Sequence, residues 1–390
     1  PTVTLNGSIG QATSDTSNSE QSLTPLLASV TVRQPVYRGG RTSASVRQAE
    51  NRVRAGRADL LSTEQDVLLS VVKAYLNVLR DQAVVQINRN NEQVLTRQLQ
   101  ATRDRLEVGE VTRTDVAQAE ARLSRATSDR IQVEGDLTSS RANYLRVVGA
   151  EPSQLDAAPR LSDIPTSYEQ AVQIALEENP LLKSAQFNEA ASRAAIEISR
   201  GGLRPTVSID GDLSYSEEQQ FENLTNESAS IVARLTIPLY QAGSTFSQVR
   251  QNRQINSQRR IQVEEIRRQV VESVTTAWQR LTTASAQIVS QLEQVRAAEL
   301  ALEGVEQEAE VGSRTTLDVL DAEQELLDAQ VSLVRAQRNE YVAAFEVKSA
   351  TGQLTITALG LAVAPYDAED NYRRMRNRWF GSNGTLFADR

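Results

Sequence analysis

The strongest constraint on this chain is a spacing. Pro35 and Pro238, Tyr37 and Tyr240, Gly40 and Gly243, Gly109 and Gly312, Asp115 and Asp318, and Gly149 and Gly352 all stand 203 positions apart. One offset kept across most of a 390-residue chain marks a tandem duplication, so the fold must be built from two related halves.

Each half opens on strand patterns. Val3, Leu5, Gly7 and Ile9 alternate with Thr4, Asn6 and Ser8, a period of two that specifies a strand. A polar stretch over 11–24 reads as a loop, and alternation resumes at Ala28, Val30 and Val32, giving a hairpin with a long loop. In the second half Val207, Ile209, Leu213 and Tyr215 oppose Ser208, Asp210, Asp212 and Ser214. A polar loop over 217–227 then precedes Ile231, Ala233, Leu235 and Ile237. Each strand pair ends in Pro-Xaa-Tyr-Xaa-Gly/Ala-Gly, at Pro35, Tyr37 and Gly40 and again at Pro238, Tyr240 and Gly243.

Helical patterns follow. No proline interrupts 41–107, where apolar residues recur at three and four; at ~1.5 Å per residue such a helix reaches about 100 Å. It runs into Val108-Gly109-Glu110, and a Thr-rich segment leads to Asp115-Val116 and a returning pattern through Leu123, Ala126, Val133 and Tyr144. Glycine suits the residue after a helix, and Thr or Asp caps the next one, so this stretch and its counterpart Val311-Gly312-Ser313 read as tips of helical hairpins. The helix from about Phe246 carries a near-heptad stripe at Val263, Ile266, Val270, Val274, Ala277, Leu281, Ala284, Ile288, Leu292 and Val295, a coiled-coil seam whose expected partner is 317–350.

Between the halves, Pro152, Pro159 and Pro165 predict an irregular connector, and 167–200 a shorter helix broken at Asn179-Pro180. The expected segmentation is a first β-hairpin at 1–40, a helical hairpin at 41–150, a connector with a short helix at 151–203, a second β-hairpin at 204–243, a second helical hairpin at 244–352 and a C-terminal extension at 353–390. The tail over 365–390, acidic and then basic, is expected to be extended and solvated. Since only the second copy has a helix ahead of its first strand, an N-terminal helix is expected to precede Pro1.

Composition narrows the functions. Aromatics at 4% and interspersed charges netting −8 argue for long helices burying narrow stripes and against a nucleic-acid surface. The chain has no Cys and no His, so thiol nucleophiles, disulfides, Cys/His zinc sites and the commonest general base are excluded. The carboxylate pair Glu217/Glu218 sits in a polar loop without an apolar pocket, which gives no support for acid–base catalysis. No catalytic, cofactor-binding or metal-ligating residues are expected. No apolar run approaches the ~20 residues of a membrane helix. The strands, however, have the length and two-faced pattern of tilted membrane strands; four cannot close a barrel, whereas a trimer supplies twelve. A small water-soluble sheet packed on the helices is the competing reading, with a soluble coiled-coil scaffold as the matching alternative function.

The strand-to-helix junctions, the paired Val-Gly…Asp-Val stretches and above all the run Val311 to Ala322 resemble the TolC-like outer-membrane efflux family over nearly the whole chain. The resemblance implies a mainly α fold with membrane β: a tandem-repeat protomer whose trimer forms a 12-stranded barrel in the outer membrane, continued by an α-helical barrel through the periplasm. It further implies a passive export duct, without enzymatic activity or cofactor. An inner-membrane ABC or proton-driven transporter would feed it through a periplasmic adaptor, with secreted protein or small toxic molecules as cargo.

In that setting Asp318 and Asp321 ring the periplasmic entrance and select cations, while Arg314 and Asp115 hold the tip closed. An aromatic partner usual in that network is replaced here by Ala309. The tips Val108, Gly109, Glu110, Val311, Gly312 and Ser313 are the implied adaptor-docking sites. Tyr37 and Tyr240 fit either an interfacial aromatic belt or packing at the bend. Asp115 and Asp318 also fit an ordinary role as helix-start acids.

Overall fold

The computed structural model describes residues 1–16, 19–153, 155–156, 164–219, 221–361, 363, 366–376 and 378. The chain divides into two compact units, one of 1–56 with 184–265 and the other of 57–183 with 266–390.

The first unit holds an antiparallel sheet in the order β1 (Thr2–Ile9), β4 (Leu26–Arg38), β5 (Thr206–Glu217), β6 (Thr225–Thr236). Register sorts the side chains into two faces. Val3, Leu5, Val32 and Val30 pair across β1 and β4, and Leu213, Ile209, Ile231 and Leu235 continue the same apolar face through β5 and β6. On the other face Asp210 joins Arg33 at 2.9 Å and Arg234 at 3.1 Å, and Thr31 donates to Asp212 at 3.3 Å. The apolar face is open to solvent in the single chain, with Leu5 78% and Ile231 84% exposed.

Two loop expectations need correction. The 11–24 stretch contains β2 (Ala12–Thr16) and β3 (Ser19–Leu23), which pair antiparallel from Ala12↔Leu23 to Thr16↔Ser19. The segments ATSDT and SEQSL carry no alternation of apolar residues, so periodicity gave no sign of the ladder. The second loop is shorter than expected. β5 reaches Glu217 and β6 starts at Thr225, with the turn made by left-handed Glu218 and Asn223.

The second unit is helical, and its helices lie in antiparallel pairs. α1 (Arg41–Glu107) ends here, and α2 (Arg113–Val148) returns along it. Arg103 meets Glu120, Arg89 meets Glu134 and Ser140 donates to Asp81. The end of α5 (Ser244–Glu310) pairs likewise with α6 (Thr316–Ala350), through Arg280–Glu346 at 3.1 Å and Ser285–Glu340 at 2.8 Å. Along the expected α5 seam Val270, Val274, Ala277 and Ala284 are buried, whereas Leu292 is exposed.

The shorter helix is two, α3 (Tyr168–Glu178) and α4 (Pro180–Arg200), divided where expected: Asn179 leaves helical geometry at ψ 122 ahead of a proline that starts the next helix. After α6, Gly352 takes φ +85, and a Cβ there would come within 2.9 Å of the Glu178 backbone. Beside it Asn179 donates to the Ala350 carbonyl at 3.0 Å. Pro152 and Pro165 lie outside any helix, as a connector requires, while Pro159 lies outside the described residues.

The tail differs from the expected extended segment. α7 (Ala368–Arg376) is a helix, capped by Asp367 Oδ1, which accepts from the Glu369 N–H at 2.8 Å. Arg373–Asp367 and Arg374–Asp370 pair along it, and Tyr372 lies under Arg57. Local charge pairs and a cap make this helix, with no apolar stripe for periodicity to detect. Pro365 and 379–390 lie outside the described residues.

Candidate gate at the hairpin ends

Both long helices close in one way. Gly109, at φ 82, donates to the Leu106 carbonyl at 3.0 Å, and Glu110 donates to the Arg105 carbonyl at 2.9 Å. Gly312, at φ 77, donates to Ala309 at 3.1 Å, and Ser313 to Glu308 at 2.9 Å. This nested pair of bonds requires a left-handed residue after the helix, which explains both glycines. Val108, Val311 and the four residues named with them are exposed.

The returning helices open on matching capping boxes. Thr112 Oγ1 accepts from the Asp115 N–H at 3.3 Å while Asp115 Oδ2 accepts from the Thr112 N–H at 2.8 Å, and Thr315 with Asp318 repeats both distances. The backbone bond from the threonine, then its hydroxyl, hold both carboxyls below the usual aspartate range, and Arg314 adds a smaller pull on Asp318. The helix-start role is therefore filled by Asp115 and Asp318 alike.

Beyond the caps the two copies part. Arg314 Nε donates to Glu308 on its own hairpin at 2.7 Å. Asp321 accepts from Arg122, which ties α6 to α2. Beneath that ion pair, Leu95 and Leu99 of α1, Ala119 and Ala126 of α2 and Leu320 of α6 form one buried cluster, with Val116 and Leu123 against it. Of the four candidate gate residues, Asp321 joins the two hairpins; Asp115 and Arg314 are each engaged on their own hairpin. Asp318 and Asp321, expected on one helix face, do different things: one turns back to its cap and the other reaches across.

Two participants escaped the sequence reading, Arg122 and Glu308. The signal for Glu308 was available, since the matching residue of the first copy is Arg105 and the charge is reversed.

At the opposite ends of the long helices, the β4–β5 register shifts between Pro35 and Tyr37, where proline has no N–H to give the ladder. Gly40 accepts from Ala44 at 3.2 Å and Gly243 from Ser247 at 2.9 Å, leading the chain into α1 and α5. Pro238 follows β6, and Tyr240 is 88% exposed, so it does not pack at the bend within one chain. Among the described residues no helix is long and apolar enough to cross a membrane, and no group of three or more acidic side chains is placed to hold a metal ion.

Comparison with known proteins agrees with this architecture. The family described as "Outer membrane efflux protein" matches residues 1–150 and 171–353. Outer membrane efflux protein BepC of Brucella suis is 34% identical over 353 residues, covering 90% of this chain and 77% of its own. Outer membrane protein TolC of Vibrio cholerae is 29% identical, covering 91% and 82%. Among solved structures, the outer-membrane channel OprN superposes with a TM-score of 0.77 at 19% identity, over 90% of this chain and 81% of its own. With two repeated halves, two-faced strands and long paired helices in agreement, the chain belongs to the outer membrane efflux protein family, whose members are channels rather than enzymes, set in the outer membrane with their helices in the periplasm.

Proposed function

We propose that the chain is one third of a homotrimeric export duct that passively conducts cargo delivered by an inner-membrane transporter through a periplasmic adaptor. The carrying observation is the four-stranded sheet with two free edges, β1 and β6. Successive antiparallel pairings leave β1 and β6 running in opposite directions, so β6 of one copy is oriented to pair antiparallel with β1 of the next. An open edge cannot face lipid, and three copies close twelve strands. The apolar face then meets lipid, and the face bearing Arg33, Asp210 and Arg234 lines the pore. Tyr37 and Tyr240 sit at the interface level, where exposed aromatic rings are favoured.

The hairpin ends form the periplasmic gate. Asp321 and Asp318 supply the negative ring at the entrance, and Asp115 and Arg314 supply unlike charges at neighbouring tips that favour closure. The exposed tips 108–110 and 311–313 receive the adaptor. Cargo is secreted protein or small toxic molecules, and the neighbouring transporter genes distinguish these: an ABC transporter with an adaptor accompanies the first, a proton-driven pump the second.

Purified protein in planar bilayers tests this reading. The expected result is a cation-preferring conductance that rises when Arg314→Ser and Asp115→Ala are combined. Absence of any conductance from correctly assembled protein would overturn it.

A further inference from the structure

Matching the hairpin ends at their 203-residue offset shows an exchange of charge. In the first copy, Arg103 of α1 and Glu120 of α2 form an exposed ion pair at 2.6 Å. The corresponding residues of the second copy are Glu306 of α5 and Glu323 of α6. An acid stands where the base was, and the surroundings have changed with it. Glu323 is only 6% exposed, and its Oε2 has no hydrogen-bond partner among the described residues.

Among the described residues no base pairs with Glu323. Arg122, the cation that α2 carries to α6, is taken by Asp321, and Arg314 is taken by Glu308. Leu320, one turn before Glu323 on α6, packs with Leu95 and Leu99 of α1, and the charged α1–α6 contact Lys73–Glu346 lies more than 20 residues further along α6. From α5 the group that acts on it is Glu306, another acid. A buried carboxylate without a countercharge is costly to ionise. Burial first, and Glu306 second, push this carboxyl up to about 7 from an ordinary value of 4.5.

We propose that Glu323 is a proton-binding site, controlled by Glu306, that keeps the α5–α6 end tight when protonated and loosens it when ionised. The folded end holds a proton that an unfolded glutamate releases near 4.5, so stability is highest below that pH, falls as pH rises to about 7 and stays low above it. The first copy has an exposed Arg103–Glu120 ion pair in place of these two acids. Two hairpin ends with the same backbone therefore differ in that the second carries a buried acid where the first carries an exposed ion pair. The device lies within one hairpin and does not depend on the export reading.

Hydrogen exchange on the full chain in detergent, corrected for intrinsic rates, tests it between about pH 6 and about pH 8, on either side of the raised value. Opening of amides in 302–327 is expected to rise about tenfold, the linkage of one pKa unit, while 99–124 stays level. E323Q should abolish the rise. Glu306→Arg, which gives the second copy the pair found in the first, should abolish it with Glu323 still present. An infrared carboxyl band titrating near neutrality and missing in E323Q would support the same assignment. Equal opening at both pH values, a rise that survives E323Q, or titration of Glu323 in the ordinary glutamate range would overturn it.

Discussion

Asp115 and Asp318 show how a single residue type can serve two purposes. Each accepts from the backbone of the threonine that caps its helix, so removing either acid also weakens a helix start. Thr112→Ala should cost about 1 kcal/mol, read as faster exchange over the first turn of α2. Both carboxyls are held below their ordinary value of 3.8 in the folded chain. Their stabilisation is present above that value and is lost as pH falls through the folded value, opposite in sign to Glu323. In the proposed gate Asp321, which caps no helix and pairs with Arg122, is the cleaner probe of the entrance. Asp321→Asn should lower cation preference in reversal-potential measurements while leaving both helix caps intact, because a carboxylate ring concentrates cations in a narrow pore. An unchanged reversal potential would remove Asp321 from the conduction path.

At the scale of elements, the hairpin ends were legible because turn chemistry is local: Val-Gly followed by Thr and Asp prescribes a left-handed stop and a capping box, and both are present. The long helices were legible from period and from the absence of proline. What was missed depends on partners the pattern does not name. β2 and β3 hold each other by backbone bonds, α7 rests on charge pairs and an Arg57–Tyr372 contact, and Arg122 meets Asp321 from 199 residues away in sequence. Gly352 makes a prediction at this scale. Gly352→Ala should destabilise by roughly 2 kcal/mol, since it combines a positive φ with a backbone clash against Glu178, whereas Gly135→Ala inside α2, with open space around it, should stabilise by about 0.5–1 kcal/mol. Thermal unfolding of the pair separates the two cases, and equal shifts would contradict this reading of Gly352.

For the whole molecule, the duplication explains why one chain supplies a four-stranded sheet and two helical hairpins, and divergence between the copies explains how similar ends acquire different charges. Twelve strands require that β6 of each copy meet β1 of the next. The chain has no native cysteine, so engineered pairs report that contact without interference. Thr4→Cys on β1, combined in turn with Ser230→Cys, Val232→Cys and Arg234→Cys on β6, samples successive registers on the face that carries Arg33 and Asp210. Oxidation in outer membranes should give, for one of these pairs, a ladder that rises to the trimer and stops there. A ladder continuing past three copies, or a chain that stays monomeric with every pair, would contradict closure by three.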